Sequence, residues 1–220
     1  MRTYEKIETI FERDMNGSKK LIEGKWRNDT IQFTKDLKWV WTEKVDGTNI
    51  RIYWDGHTVT FGGRTERANI PADLVNKLNE YFGGEKNAQV FEQMFGEREV
   101  ILFGEGYGNK IQSAGKFYNP NGVDFILFDV LIMNNYQQRD NVEGIAKAFG
   151  VKVVPIVGSG TLKEAVSYIK KHPISKLVDP NMDDIEMEGV VCRPEIELKD
   201  RAGNRLIVKI KVRDFESEDD

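Results

Sequence analysis

The sequence predicts an α+β fold, with mostly antiparallel sheets and peripheral helices. Three observations predict it. Short apolar runs with period-two alternation are spread along the chain. Turn signals join neighbouring runs as hairpins, and the few stretches with helical spacing are short and stop at glycine. With 220 residues, 40% hydrophobic and 31% charged, the chain is long enough for a real core and too apolar to be disordered. No repeat, low-complexity linker or composition break marks an internal boundary. Residues 1–213 are therefore expected to form one domain, and 214–220 a frayed acidic tail.

Taken in order, residues 39–43 and 49–54 read as strands joined by the turn-rich Val45-Asp46-Gly47-Thr48. In the second, Ile50, Ile52 and Trp54 alternate with Arg51 and Tyr53, the pattern of a strand with one buried face. Asp55-Gly56 signals a hairpin that returns through 58–61. Leu74, Leu78 and Phe82 share one face of a helix over 71–82, ended by Gly83, and a second helix over 88–95 ends at Gly96. The apolar runs 99–103 and 125–132 suit buried strands. A helix over 142–149 closes at Gly150, and 152–157 is a strand. Thr161 and Glu164 form a capping box that opens another helix, and 188–192 and 206–212 are the last strands.

Charge and composition exclude several classes of function. Lys and Arg number 32 against 36 Asp and Glu, a net charge of −4, and the terminal DFESEDD holds five of the acids and no base. The rest of the chain is close to neutral, so any polyanion site is a local patch rather than a generally basic surface. No run of about 18 apolar residues predicts a membrane span, and the opening MRTYEKIETIFERD has no apolar signal-peptide core. A lone cysteine, Cys192, excludes an internal disulfide framework and a multi-cysteine zinc site, and His57 and His172 are too far apart in sequence to suggest a histidine metal site. This is the composition of an intracellular, cytoplasmic protein.

Two glycine-rich stretches fail as phosphate loops. In Gly104-Glu105-Gly106-Tyr107-Gly108, Asn109 stands where G-x-G-x-x-G needs its last glycine. Between Gly108 and Lys116 the glycines are too far apart for a Walker A loop, and Phe117 replaces its Ser or Thr. A different constellation remains. Lys44-Val45-Asp46-Gly47 alone is weak, since K-x-D-G arises by chance in about one chain of this length in twenty. It is followed, in order, by Arg64 after Gly62-Gly63, by Gly104-Glu105-Gly106 after a buried strand, and by Phe125 within Asp124-Phe-Ile-Leu-Phe-Asp129. Glu188-Gly189-Val190-Val191 and Lys209-Ile210-Lys211 complete the series.

This ordered set resembles the covalent nucleotidyltransferase superfamily of ATP-dependent ligases and mRNA capping enzymes. Within it the chain is similar to the RNA ligase 2 family, through Tyr4-x-Lys6-Ile7-x-x-Ile10-Phe11 and Thr42-Glu43-Lys44-x-x-Gly47-Thr48-Asn49. The resemblance implies a nucleotidyltransferase fold and an ATP-dependent RNA ligase acting on RNA ends or nicks. Lys44 would be the nucleophile that forms a lysyl-AMP adduct. It further implies that Glu43 accepts from the adenine amino group, Phe125 stacks on the base and Glu105 holds the ribose hydroxyls. Arg64 and Asn49 would contact the nucleotide or the 5′-phosphate end, and Glu188 would engage Mg²⁺ (or Mn²⁺). Lys209 and Lys211 would contact the phosphates.

Elementary chemistry is compatible with these roles. Only about one free lysine in a thousand is neutral near pH 7.4, and bringing its pKa to about 7.5 takes roughly 4 kcal/mol of preference for the amine. Desolvation, neighbouring cations and a metal can supply that. Lys209 and Lys211 project from one face of a strand while Leu206, Val208, Ile210 and Val212 pack on the other. Two ammonium groups in one place suit a triphosphate, although an amphipathic edge strand with its lysines in water gives the same alternation. Plain readings exist for the other residues too. Glu105 and Glu188 could be turn carboxylates, Phe125 core, Glu43 an exposed strand residue, and Arg64 part of a surface ion-pair cluster with Arg67.

Two departures qualify the resemblance. The chain ends nine residues after Lys211, where such ligases usually continue into a second domain, so the expectation is a minimal, single-domain ligase. K-x-D-G is also more typical of DNA ligases, which keeps a DNA ligase or guanylyltransferase open, as well as a nucleotide- or end-binding module without turnover. For nucleic-acid backbone, the most basic stretch is Arg201, Arg205, Lys209, Lys211 and Arg213, with Lys110 and Lys116 as further candidates.

Overall fold

The computed structural model describes residues 2–178, 181–182 and 184–215. In chain order its elements are β1 (Glu8–Thr9), β2 (Phe11–Arg13), β3 (Leu21–Trp26), α1 (Asp29–Thr34), β4 (Trp39–Glu43), β5 (Thr48–Trp54), β6 (Val59–Gly62), α2 (Ala72–Phe82) and α3 (Gly84–Phe95). There follow β7 (Val100–Gly108), α4 (Gly115–Tyr118), β8 (Val123–Ile132), β9 (Asn135–Tyr136), α5 (Arg139–Phe149), β10 (Lys152–Val153), β11 (Ile156–Gly160), α6 (Leu162–Ile169), β12 (Gly189–Pro194) and β13 (Val208–Lys211). The result is an α+β protein with mostly antiparallel sheets, as the sequence predicts. Among the described residues no helix is long and apolar enough to cross a membrane.

The chain divides into two compact units. The first comprises residues 1–5, 46–154 and 177–182, and the second comprises 6–45, 155–176 and 183–220. Two of the five crossings fall at Val45/Asp46 and Val154/Pro155, outside any low-complexity stretch, which is why composition shows no boundary there. Residues 152–157 show the consequence. Instead of one strand they form β10, paired parallel to β8 in the first unit, and β11, paired antiparallel to β4 in the second. Pro155, which has no N–H to give a ladder, sits at the break.

In the first unit a sheet runs β10-β8-β7-β5-β6, with β9 also on β8. One face packs Ile50, Ile52, Trp54, Leu102, Phe125 and Leu127 against Leu74, Leu78, Phe82, Phe91, Val142 and Phe149 of α2, α3 and α5. The other face is covered as well, around Ile101, Phe103 and Leu131, with Tyr4, Phe128 and Tyr136 packed on them. Arg51 is therefore buried, at 1% exposure, and not on a solvent face as the alternation suggests. Its Nε donates to the Gly63 carbonyl at 2.7 Å and its Nη1 to the Arg2 carbonyl at 3.1 Å. Burial lowers the Arg51 pKa from its ordinary value, and Glu66 opposes that shift.

Arg51→Met would leave both carbonyls without this donor, at about 1–3 kcal/mol for each one stranded. The expected loss is roughly 2 kcal/mol, or ~4–8 °C in a chain of this size. Arg51→Lys should recover only part of it, because one ammonium cannot span both acceptors. Thermal unfolding of the two variants checks this, and an unchanged midpoint in Arg51→Met refutes it.

In the second unit the sheet order is β1-β13-β12-β4-β11, and β2 pairs separately with β3. Trp39, Trp41, Val190, Cys192, Val208 and Ile210 pack against Leu162, Ala165, Val166 and Ile169 of α6. The Thr161–Glu164 capping box opens that helix as its sequence predicts. Ile10 and Phe11 of the N-terminal motif belong to this core. Burial pushes the lone thiol, Cys192, up from its ordinary pKa. Of the expected acidic tail, 216–220 lie outside the described residues. Asp214 is not frayed: it ends a short 3₁₀ turn, is buried and pairs with Arg13 at 2.9 Å.

Candidate active site

The register of three strands builds a charge cluster in the second unit. Gly189, which opens β12, is paired with Lys211 of β13, and Val190 is paired with Glu43 of β4. The Lys44 amide donates to the Gly189 carbonyl at 2.9 Å, and the Val212 amide to the Glu188 carbonyl at 3.1 Å. The end of β4, the start of β12 and the end of β13 thus arrive side by side. Their terminal side chains meet: Lys44 Nζ lies 2.7 Å from Glu188 Oε2, and Lys211 Nζ lies 2.5 Å from Glu188 Oε1. One carboxylate therefore bridges two ammonium groups. All three side chains keep some exposure, from 16% to 24%.

β13 alternates as expected, with Val208 and Ile210 buried and Lys209 and Lys211 on the opposite face. It is not an edge strand, since β12 and β1 flank it. The surrounding basic stretch is less available to backbone phosphate than the sequence suggests. Arg205 is buried and held bidentately by Glu197, with Nη2 to Oε2 at 2.9 Å, whereas Arg201 and Arg213 are exposed.

Glu43 differs from both expectations held for it. It is neither exposed nor presented to a ligand, because it points inward with Trp39 and Trp41 and is 1% exposed. The Ser175 hydroxyl donates to one carboxylate oxygen and the Lys176 amide to the other, at 2.9 Å for the latter. Burial raises the Glu43 pKa, and these two hydrogen bonds partly oppose it. Ser175 leaves no sequence signal, since nothing local marks residue 175 as the partner of residue 43.

A raised folded-state pKa means that, above the ordinary value of 4.5, the unfolded chain ionises first. Stability then falls as pH rises from there through the raised value. Glu43→Gln, which keeps an acceptor for Lys176, should remove that part of the slope and be at least as stable at pH 8. Melting curves from pH 4 to 8 test it, and a slope identical to wild type would overturn it.

The first unit holds the other candidates. Asn49 of β5 is paired with Glu105 of β7. Asn49 Oδ1 is buried without a hydrogen-bond partner among the described residues, an orphan acceptor beside that carboxylate-bearing position. The glycines around Glu105 lie within β7, not after it, because they admit neighbours. A Cβ on Gly104 would come within 2.2 Å of the Phe125 ring, and one on Gly106 within 2.3 Å of Leu74. Gly47 is likewise pressed on the Gly106 carbonyl, where a Cβ would stand at 2.3 Å. Arg64 is exposed, directly after the Gly63 carbonyl that Arg51 holds.

Phe125 is a correction. It is wholly buried, edge-on to Phe82 at 5.5 Å, and offers no face to a base. Its role here is to form the floor under Gly104. Besides Glu43, Arg205 and Asp214, the buried charges that sequence alone does not reveal are Arg51 and Asp129. The second, which accepts from the Tyr4 hydroxyl at 2.7 Å, was signalled only as an acid inside an apolar strand.

The sequence pattern of the RNA ligase family matches residues 37–211. The chain belongs to the RNA ligase family. That match spans Lys44, Glu105, Glu188 and Lys211 alike. A mutant of the Naegleria gruberi RNA ligase solved with ATP and Mn superposes with a TM-score of 0.62 at 21% identity, covering 83% of this chain and 51% of that one. The same ligase with PPi gives 0.61 at 20% identity, covering 94% and 61%. A mutant with AMP and Mn gives 0.61 at 19%, covering 93% and 60%. These likenesses show a common fold, and the chain spans about half to three-fifths of the length of those RNA ligases. A search of curated protein sequences finds no match.

Proposed function

We propose that this RNA ligase family member is an ATP-dependent enzyme that adenylylates itself on Lys44, passes AMP to a 5′-phosphate RNA end and joins that end to a 3′-hydroxyl. The single observation that carries the reading is the Lys44–Glu188–Lys211 bridge. It holds an amine-bearing side chain still, beside a second cation, on a cluster that is neither fully buried nor fully exposed. A structural ion pair needs one cation, and the second suits a polyphosphate.

The Lys44 ammonium, partly exposed beside Glu188, first gives up a proton to water. The Nζ lone pair attacks the α-phosphorus of ATP, the N–P bond forms, and the bond to the bridging oxygen breaks to release pyrophosphate. Lys211 and Lys209 neutralise charge on the departing phosphates. The adenylyl group then moves to a 5′-phosphate oxygen, and Lys44 leaves. In the last step the 3′-hydroxyl oxygen, losing its proton, attacks the phosphorus of the RNA 5′-phosphate, the bond from that phosphorus to the AMP oxygen breaks, and AMP departs.

Glu105, Asn49 and Arg64 of the first unit are the polar groups proposed to hold the nucleotide and the 5′-end. Asn49, with its orphan Oδ1, is the best supported of them. Glu43 acts at one remove, fixing residues 175–176.

A divalent cation fits this set in a limited way. No group of three or more His, Cys, Asp or Glu among the described residues could cage an ion. Mg²⁺ commonly binds through one or two carboxylates and substrate phosphates, and Glu188 would be such a carboxylate here for Mg²⁺ or Mn²⁺. When bound, it would supply further neutralisation of phosphate charge.

Incubation with α-labelled ATP and Mg²⁺ tests the reading. An acid-stable label on the chain is expected, and its absence with every divalent metal tried would reject it. Label from GTP in place of ATP would favour a guanylyltransferase.

A further inference from the structure

The segment between Glu105 and Asp124 contains no Asp or Glu, although the chain carries 36 of them. Its exposed side chains are Asn109, Lys110, Gln112, Ser113, Lys116 and Asn121, with Phe117 half-buried. They crown a loop, residues 109–122, that joins β7 to β8 in the first unit. We propose that this loop is a preformed site for the sugar–phosphate backbone of a single RNA strand. Lys110 and Lys116 bind phosphates, and Gln112 hydrogen-bonds a 2′-hydroxyl. The proposal deepens the RNA ligase reading and rests on it for the choice of RNA.

The loop is rigid for reasons internal to it. The Asn109 amide donates to both the Asn119 carbonyl (3.0 Å) and the Gly122 carbonyl (2.8 Å), and the Ile111 amide to the Gly108 carbonyl (3.0 Å). Ile111 is buried at 5% exposure, and Tyr118 lies edge-on to Tyr107 at 5.9 Å. Gly115 is pressed so closely on Gly108 that a Cβ would meet its carbonyl at 2.0 Å. The Ala114 amide reaches Asp46 Oδ2 at 3.4 Å, which ties the loop to the K-x-D-G turn.

Within this frame Lys110 and Gln112 both take left-handed backbone, with φ of 68° and 56°. Glycine or asparagine would sit there without that cost, on the order of 1 kcal/mol or more per residue. The other non-glycine residues at positive φ are Lys19, Met133, Asn134 and His172. Met133 and Asn134 form the two-residue turn between β8 and β9, Lys19 lies in the turn between β2 and β3, and His172 follows α6. In the loop the strained pair instead displays two long polar side chains that no ion pair among the described residues engages. Lys116, nearby, rests over its neighbour's ring, 4.9 Å from the Phe117 centroid.

The chemistry on display selects the ligand. Ammonium groups without carboxylates suit phosphate, amides suit hydroxyls, and a half-exposed aromatic ring suits an unpaired base. The loop's place is also consistent, since it grows directly from the strand that carries Glu105.

The test is fluorescence anisotropy of a labelled single-stranded RNA, titrated without ATP across a range of salt concentrations. Three double or single variants are compared with wild type: Lys110→Gly with Lys116→Ala, Gln112→Gly, and Lys147→Ala with Lys152→Ala as exposed cations of the same unit outside the loop. Each phosphate contact on a single strand contributes about 0.7 to the slope of log K against log salt, so the loop double variant should be shallower by about 1.4. Gln112→Gly should weaken RNA several-fold and leave DNA of the same sequence unchanged. Both substitutions to glycine relieve left-handed strain, so an unaltered or raised melting midpoint certifies the fold.

A wild-type slope in the loop double variant overturns the proposal, and so does an equal loss in the Lys147/Lys152 variant. Because binding is read without ATP, failure of the Lys44 adduct would refute the ligase reading and leave this result standing. Failure here would leave that chemistry untouched.

Discussion

Lys44→Ala should abolish the covalent nucleotide label entirely while leaving the protein folded. In the proposed mechanism Lys44 is the nucleophile, and Lys211, held on the other oxygen of Glu188, serves the leaving group and does not replace it. Removing Lys44 still leaves Glu188 paired with Lys211 at 2.5 Å. The lost pair is partly exposed and screened, worth no more than about 1 kcal/mol. The melting midpoint should therefore move by less than ~4 °C while the label disappears. Mass spectrometry after exposure to ATP provides the check. A label found on Lys209 or Lys211 in wild type, or a label surviving in Lys44→Ala, would refute the assignment.

The second large effect is expected at a residue with no side chain. Gly189 has φ of +155°, and a Cβ there would stand 2.1 Å from the Ile210 carbonyl oxygen and 2.7 Å from the Lys211 Cα. Both are backbone atoms of β13, so no rotamer change relieves the clash. Gly189→Ala must part β12 from β13 at the pair that brings Glu188 to Lys211. We expect a loss of about 3 kcal/mol or more, in the upper range for point substitutions. In a chain of this size that is a drop of ~6–12 °C in melting midpoint. Adduct formation should fall by about 100-fold or more even where the variant is still folded, because loosened positioning can cost that much. Calorimetry and the rate of label incorporation measure the two effects. Normal stability would show that the close approach is not obligatory.

These two positions differ in how far the sequence exposes them. Lys44 stands in a recognisable run, Thr42-Glu43-Lys44-x-x-Gly47-Thr48-Asn49, and the alternation of Lys209 and Lys211 with Val208 and Ile210 is local and plain. The need for glycine at 189 arises only because β13 lies against it. Glu43 is similar: the sequence shows that it shares a face with Trp39 and Trp41, but not that Ser175 and Lys176 close over it. Phe125 reads as either core or platform, and three helices on its side of the sheet decide for core.

By itself the sequence determined the fold class, the helix ends at Gly83, Gly96 and Gly150, the capping box at Thr161, and the family. The helix ends and the capping box depend on spacing within a few residues, where one backbone period fixes which side chains share a face. The fold class and the family depend on such local patterns recurring in order along the chain. Only the tertiary structure decided that Glu188 bridges Lys44 and Lys211, that Arg51 is buried on two carbonyls, and that residues 152–157 serve two sheets. Those facts depend on which strands pair and in what register, a choice made by surfaces brought together from distant parts of the chain, and no local period encodes it.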